Sequence, residues 1–161
     1  MVEYSYHDGL DELDKIILNI IQKDGRISNA DLARQINLSP PATHTRLRRL
    51  EQQGYIRHYV ALLDREKLGY DMVCFISISL QLHQFSQVEQ FRAIILAMPE
   101  VLECHHLTGE FDYLLKVVIR NRKDLERFVV NQLTPIPGVA RIHTRLVLTE
   151  VKQTTVVGVS E

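Results

Sequence analysis

The sequence predicts an α+β chain of two domains: a three-helix head carrying a helix-turn-helix, then a domain with the element order βαββαβ. Three observations predict it. Two helix-start signals, Ser28 with Asp31 and Ser39 with Pro40, bracket a short turn. Beyond residue 70 the apolar positions switch repeatedly between strand alternation and helical spacing. The second half also echoes itself: Met98-Pro99-Glu100-Val101 and Ile136-Pro137-Gly138-Val139 each end a helix with proline and open a strand two residues later at Val. These signals place a helix-turn-helix domain with a connecting strand at 1–63, a linker at 64–69 and the second domain at 70–161.

Met1 to Gly9 has no apolar period and reads as a loose arm or a partner-crossing tail. From Leu10, the residues Leu13, Ile16, Ile17, Ile20 and Ile21 recur at helical spacing. Asp11, Glu12 and Asp14 lie in the first turn, where the helix dipole favours acids, and Asp24-Gly25 closes the segment. The next helix starts at Ser28 and buries Leu32, Ala33 and Ile36. It stops near Asn37, which tolerates the left-handed conformation of a sharp exit. Ser39 and Pro40 then open a third helix towards Gln53, ended by Gly54.

The third helix carries the chemistry of the head. At helical spacing Thr43, Leu47 and Leu50 share one face, while Pro41, His44, Thr45, Arg48, Arg49 and Gln52 lie across the other. That outward face donates hydrogen bonds, is positively charged and contains no acid. A helix of this kind, propped by a preceding helix, fits a DNA major groove, where Arg can bind guanine N7 and O6. Thr45, Arg48, Arg49 and His44 are the candidates for bases. Arg46 points nearer the buried side and is assigned to phosphate contact or to structure, and Gln52 to the backbone. The plain alternative is a solvated basic face; the paired capping signals and the one-sidedness of the charge favour DNA.

Tyr55 to Leu63 is strand-prone, and reads as a winged-helix wing, a connecting strand, or both. Asp64 to Gly69, DREKLG, is the polar break. Strands are then expected at Asp71–Leu82, Val101–Leu107, Phe111–Ile119 and Val139–Val151, with helices at Ser86–Met98 and Asp124–Leu133. Two similar βαβ units predict one antiparallel sheet with both helices on one side. Apolar residues on both faces of Phe111–Ile119 predict a second sheet covering the other side, hence self-association.

Composition narrows the class. The chain has 161 residues, 45% hydrophobic and 24% charged, with a net charge of −1, so it does not coat nucleic acid indiscriminately. A near-neutral DNA binder concentrates its positive charge and gains from more than one reading head. No apolar run reaches membrane-spanning length, and the acidic, polar N-terminus is unlike a signal peptide, so the expectation is cytoplasmic. Cys74 and Cys104 stand alone in apolar runs and read as reduced core residues. His105-His106 sits on a strand, where neighbours point to opposite faces and do not chelate one metal. The sequence contains no catalytic set, no metal site and no cofactor signature.

The segments LDELDKIILNIIQKDGRIS, DLARQINLS and TRLRRLEQQGYI in the head, with LTGEFDYLLKV and IPGVARIHTRLVLTEVK in the second domain, resemble the Lrp/AsnC family of transcription regulators over nearly the whole chain. The resemblance implies a helix-turn-helix domain and a ferredoxin-like domain that senses amino acids or related metabolites. It also implies homodimers formed through paired sheets, often assembled to octamers or discs that wrap double-stranded DNA. The sequence departs from the family pattern at Asn37, where Gly is usual, and at Thr43, where an aliphatic residue is common. Pro40-Pro41 and His44 are individual to this chain, so its operator is not transferable from relatives.

Thr108, Gly109, Glu110, Phe111 and Asp112 form the candidate effector site. Backbone N–H groups around Gly109 suit an amino acid's carboxylate and Asp112 suits its ammonium. Phe111 shapes the apolar part, and Glu110 opposes the carboxylate if it points inward. Without the family pattern, the stretch is a glycine turn beside an acid. Two rival readings share this architecture: a siroheme-decarboxylase-like enzyme, and an oligomerising metabolite sensor that binds no DNA.

Overall fold

The computed structural model describes residues 9–81 and 85–159. The arm expected over Met1 to Gly9, except Gly9 itself, lies outside the described residues, as does the Leu82 end of the first expected strand. The chain divides into two compact units. One runs up to Leu62 and takes in the chain again from Lys152, and the other is Leu63–Val151. The tail was expected to belong with 70–161. Instead it returns to the head, where the Gln22 side-chain amide clamps Val157. Gln22 Nε2 donates to the Val157 carbonyl at 2.8 Å, and the Val157 N–H donates to Gln22 Oε1 at 2.9 Å.

The head contains α1 (Glu12–Ile21), α2 (Asn29–Gln35) and α3 (Pro40–Gln52). Each start is capped by a side chain. Asp11 and Asp14 form a reciprocal capping box on α1, Ser28 Oγ accepts the Asp31 N–H, and Ser39 Oγ accepts the Ala42 N–H. Two Schellman motifs close α2 and α3. Leu38 N–H donates to the Ala33 carbonyl, and Tyr55 N–H to that of Leu50, around Asn37 at φ 54° and Gly54 at φ 79°. Ile17, Ile21, Leu32, Ile36 and Leu50 then meet in one buried cluster.

The second unit contains β1 (Met72–Leu80), α4 (Phe85–Leu96), β2 (Val101–His106), β3 (Tyr113–Ile119), α5 (Arg122–Arg127) and β4 (Val139–Leu146). The strands form one antiparallel sheet in the order β2-β3-β1-β4. Cys74, Ile76, Ile78 and Leu80 of β1, with Tyr113, Leu115, Val117 and Ile119 of β3, pack against Phe91 and Ile95 of α4 and against Phe128 and Leu133. Both helices therefore cover the same face, as the βαββαβ order requires.

Several local expectations differ from what is observed. Among the described residues no strand forms over Tyr55 to Leu63, and Val60, Leu62 and Leu63 are 72–76% exposed. A strand needs a ladder partner, and residue propensity does not supply one. The last strand ends at Leu146, short of Val151. The helix expected from Asp124 begins at Arg122 because Asn121 caps it, and its second half, Phe128–Leu133, is π-helical. Cys74 is buried, but Cys104 is exposed, since it lies on the edge strand β2. The sheet face away from the helices carries Phe75, Leu114 and Val118 beside Lys116, Glu103 and Arg145. It is a mixed surface: Lys116 and Glu103 pair at 3.1 Å, and Arg145 Nη1 donates to Ser77 Oγ at 2.8 Å.

Candidate functional site

Helix α3 buries Thr43 and Leu50 completely and turns its opposite face outward. His44, Thr45, Arg48 and Gln52 lie exposed on that face. Thr45 Oγ1 donates to the Pro41 carbonyl one turn back at 3.0 Å, so its hydroxyl proton is engaged within the helix and its oxygen remains an acceptor. Arg48 makes no ion pair among the described residues.

Arg46 and Arg49 are placed differently. Arg46 Nη1 donates to Asp11 Oδ2 at 2.5 Å and to Asp14 Oδ1 at 3.0 Å, while Arg49 Nη2 donates to Asp14 Oδ2. Asp14 is fully buried. The backbone N–H of Asp14, followed by Arg46, holds the Asp11 carboxyl below its ordinary value, and the same pairing raises the Arg46 guanidinium. Arg49 was expected at the front of the helix beside Thr45 and Arg48. It lies instead on the flank it shares with Arg46, tied to α1. In the sequence, Asp11 and Asp14 stand only as first-turn acids of α1. Nothing in their spacing reveals that they face two arginines more than thirty positions later.

The hairpin loop between β2 and β3 contains the second candidate group. Gly109 adopts φ 120°, a conformation other residues rarely reach. Asp112 Oδ2 accepts the Leu80 N–H at 2.7 Å, the Asp112 N–H donates to the Ile78 carbonyl at 2.9 Å, and Ser79 Oγ donates to the Glu110 carbonyl at 3.3 Å. The loop is thereby fastened to the end of β1. Glu110 Oε1 meets Arg141 Nη1 at 3.2 Å, and the Arg141 guanidinium lies 5.2 Å from the centre of the Phe111 ring. His143 is 6.0 Å from the same ring.

Glu110 and Phe111 thus come together with Arg141, and Phe111 with His143, two β4 residues that nothing in the sequence marks as site residues. Strand alternation places Arg141, His143 and Arg145 on one face of β4, but only the pairing of β4 with β1 brings that face to the loop. Arg141 answers the charge of Glu110 that was expected to oppose an effector carboxylate. Thr108 is exposed in the same loop.

The adjacent histidines point to opposite faces. His106 stacks on Tyr113 at 4.9 Å on the helix side, and His105 Nε2 lies 3.1 Å from Glu103 Oε2 on the other. His105, then Lys116, holds the Glu103 carboxyl below its ordinary value. Among the described residues no three His, Cys, Asp or Glu side chains gather as metal ligands, and no helix is long and apolar enough to cross a membrane.

A capped helix-turn-helix with an exposed polar and basic face, on a chain that continues into a βαββαβ sheet domain, defines a two-domain DNA-binding regulator. Comparison with known proteins makes this specific. The model of the Lrp/AsnC ligand binding domain matches residues 73–157, and that of a winged helix-turn-helix DNA-binding domain matches residues 10–57. The leucine-responsive regulatory protein of Salmonella typhimurium is 41% identical over 144 residues, covering 89% of this chain and 88% of its own length. Its Escherichia coli K12 counterpart is 40% identical over the same length. Among solved structures, a transcriptional regulator of Neisseria meningitidis in complex with L-Met has a TM-score of 0.90 at 36% identity, covering 93% of this chain and 97% of that one. Escherichia coli AsnC has a TM-score of 0.85 at 28% identity, covering 92% and 99%. The chain belongs to the Lrp/AsnC family of DNA-binding transcriptional regulators, with a ligand-binding domain as its second half.

Proposed function

We propose that this regulator binds DNA sequence-specifically with α3 in the major groove, and that an amino acid held at the 108–112 loop modulates it. Arg48 carries the first half of this reading. It is the exposed α3 guanidinium without an ion pair among the described residues, and it lies beside Thr45 and Gln52 with His44 on the flank. Arg46 and Arg49 frame this face from the α1 side.

The effector half is supported by the family domain and by the Neisseria relative solved with L-Met. An amino acid's carboxylate suits the Gly109 backbone and Arg141, its ammonium suits Asp112, and its side chain meets Phe111 and His143. Asp112 combines that role with its hold on Leu80. We further propose a cytoplasmic homodimer formed through the open sheet face, assembling towards an octamer, and no enzymatic activity of its own.

Selection of genomic DNA fragments by the purified full chain, repeated with pooled amino acids including methionine and leucine, tests both halves. The expected result is enrichment of a common sequence that changes with at least one amino acid. Absence of any enrichment removes the DNA reading. Enrichment indifferent to every amino acid removes only the effector. A haem-like absorbance on adding siroheme, without DNA retention, would instead favour the decarboxylase.

A further inference from the structure

The least expected group in the head is the carboxylate of Asp14. It is completely buried, yet it belongs to the first turn of α1, where a capping acid ordinarily stays in water. A buried charge persists only if it is paired and hydrogen-bonded. Here the partners come from α3: Arg46 on Oδ1 and Arg49 on Oδ2, with the Asp11 N–H also donating to Oδ2 at 3.2 Å. Asp11 supplies a second acid to Arg46. Two acids and two arginines therefore neutralise one another on the flank of α3. Arg49 is drawn in so far that its Nε is buried without a hydrogen-bond partner. Its position is set by the carboxylate at the expense of a hydrogen bond from Nε, while the rest of the guanidinium stays partly exposed.

We propose that Asp14 is a positioning residue for DNA recognition: it holds Arg46 and Arg49 against α1, withholds both from the DNA phosphates, and leaves Arg48 as the guanidinium α3 presents to bases. The inference rests on the reading of α3 as the recognition helix. In this arrangement Asp14 trades electrostatic affinity for discrimination. Phosphate contacts add sequence-independent binding, whereas a single directed arginine reads base edges.

The measurement is the salt dependence of binding, for operator DNA selected by the wild type and for unrelated DNA. Each arginine newly engaged with phosphate steepens the slope of log K against log salt by about 0.9. Asp14→Asn, which keeps the shape and an acceptor for the Asp11 N–H, is expected to steepen the slope by roughly one to two and to bind unrelated DNA more tightly. Its ratio of operator to unrelated affinity is expected to fall. Asp24→Asn removes the same charge from the head without freeing a cation, since Asp24 makes no ion pair among the described residues and Asn still accepts the Arg26 N–H, and it is expected to leave the slope and the ratio at wild-type values. A slope for Asp14→Asn equal to that of Asp24→Asn, or weakening on both DNAs alike, overturns the proposal and makes Asp14 merely structural.

If Asp14→Asn does not fold, Arg49→Gln decides. An unchanged salt slope supports withholding, and a slope shallower by about 0.9 shows that Arg49 already contacts phosphate and overturns it. A wild-type chain that binds no DNA at all fails the recognition-helix reading itself, a result distinct from any difference between variants.

Discussion

The carboxylate of Asp112 accepts the backbone N–H of Leu80 at 2.7 Å, tying the loop between β2 and β3 to the end of β1. Any ligand role of Asp112 is therefore superimposed on a structural one. Asp112→Ala is expected to destabilise the second unit by about 1–3 kcal/mol, because the Leu80 N–H loses its acceptor. Asp112→Asn keeps an acceptor oxygen but loses the charge. Thermal melts should place it close to wild type, and calorimetric titration with an amino-acid panel should show lost binding if the ammonium is held there. Unchanged binding in Asp112→Asn would remove the residue from ligand recognition.

Arg48 faces outward from α3 without an ion pair among the described residues. Arg48→Ala is expected to weaken operator binding by about 1–3 kcal/mol at fixed salt and to relax the sequence preference. Arg34→Ala serves as the control, since Arg34 is an exposed α2 side chain paired with Asp31. An operator affinity equal to that of the control would take Arg48 out of base contact.

Asn37 holds φ 54° at the turn between α2 and α3. Asn37→Ala is expected to cost about 1 kcal/mol in head stability, because a Cβ without a locally bonding side chain is disfavoured in the left-handed region. Asn37→Gly should cost less or nothing. Denaturant titration of the three proteins checks the order, and equal stability of the alanine and glycine variants would contradict it.

Tyr59 donates its hydroxyl proton to Glu51 Oε1 at 2.9 Å. Partial burial first, and then that bond, pushes its ionisation up from an ordinary 10.0 to about 12, although 48% of the residue remains exposed. The folded head thus holds the proton more tightly than the unfolded chain. The sign follows: the contribution is fully present below pH 10 and is lost as pH rises through about 12. Denaturation series from pH 8 to 12 should show the wild type losing more stability than Tyr59→Phe. Parallel curves would dispose of the effect.

What lay legible in the chain was local. The capped starts at Ser28 and Ser39, the exit at Asn37, the buried stripe of Thr43 and Leu50 and the order βαββαβ are all present in the structure, while the capping box of Asp11 and Asp14 on α1 is not among the starts read from the chain. Where local propensity had to stand in for a partner it failed. Tyr55 to Leu63 has strand-forming residues but no ladder among the described residues, and Cys104 sits in an apolar run yet on an exposed edge.

The sequence by itself determined that α3 buries Thr43 and Leu50 and turns His44, Thr45, Arg48 and Gln52 outward, because helical spacing and capping depend only on residues within a few positions of each other. It also determined the left-handed exit at Asn37 and the positive φ at Gly109, but not those at Gly69 and Gly138. Tertiary structure alone decided which of the outward charges remain available. Arg49 is claimed by Asp14, Glu110 is answered by Arg141, and Asp112 is committed to Leu80, each across about thirty positions of chain. Such pairings depend on how helices pack and strands register, and the burial that makes a carboxylate demand a partner exists only once the core has closed.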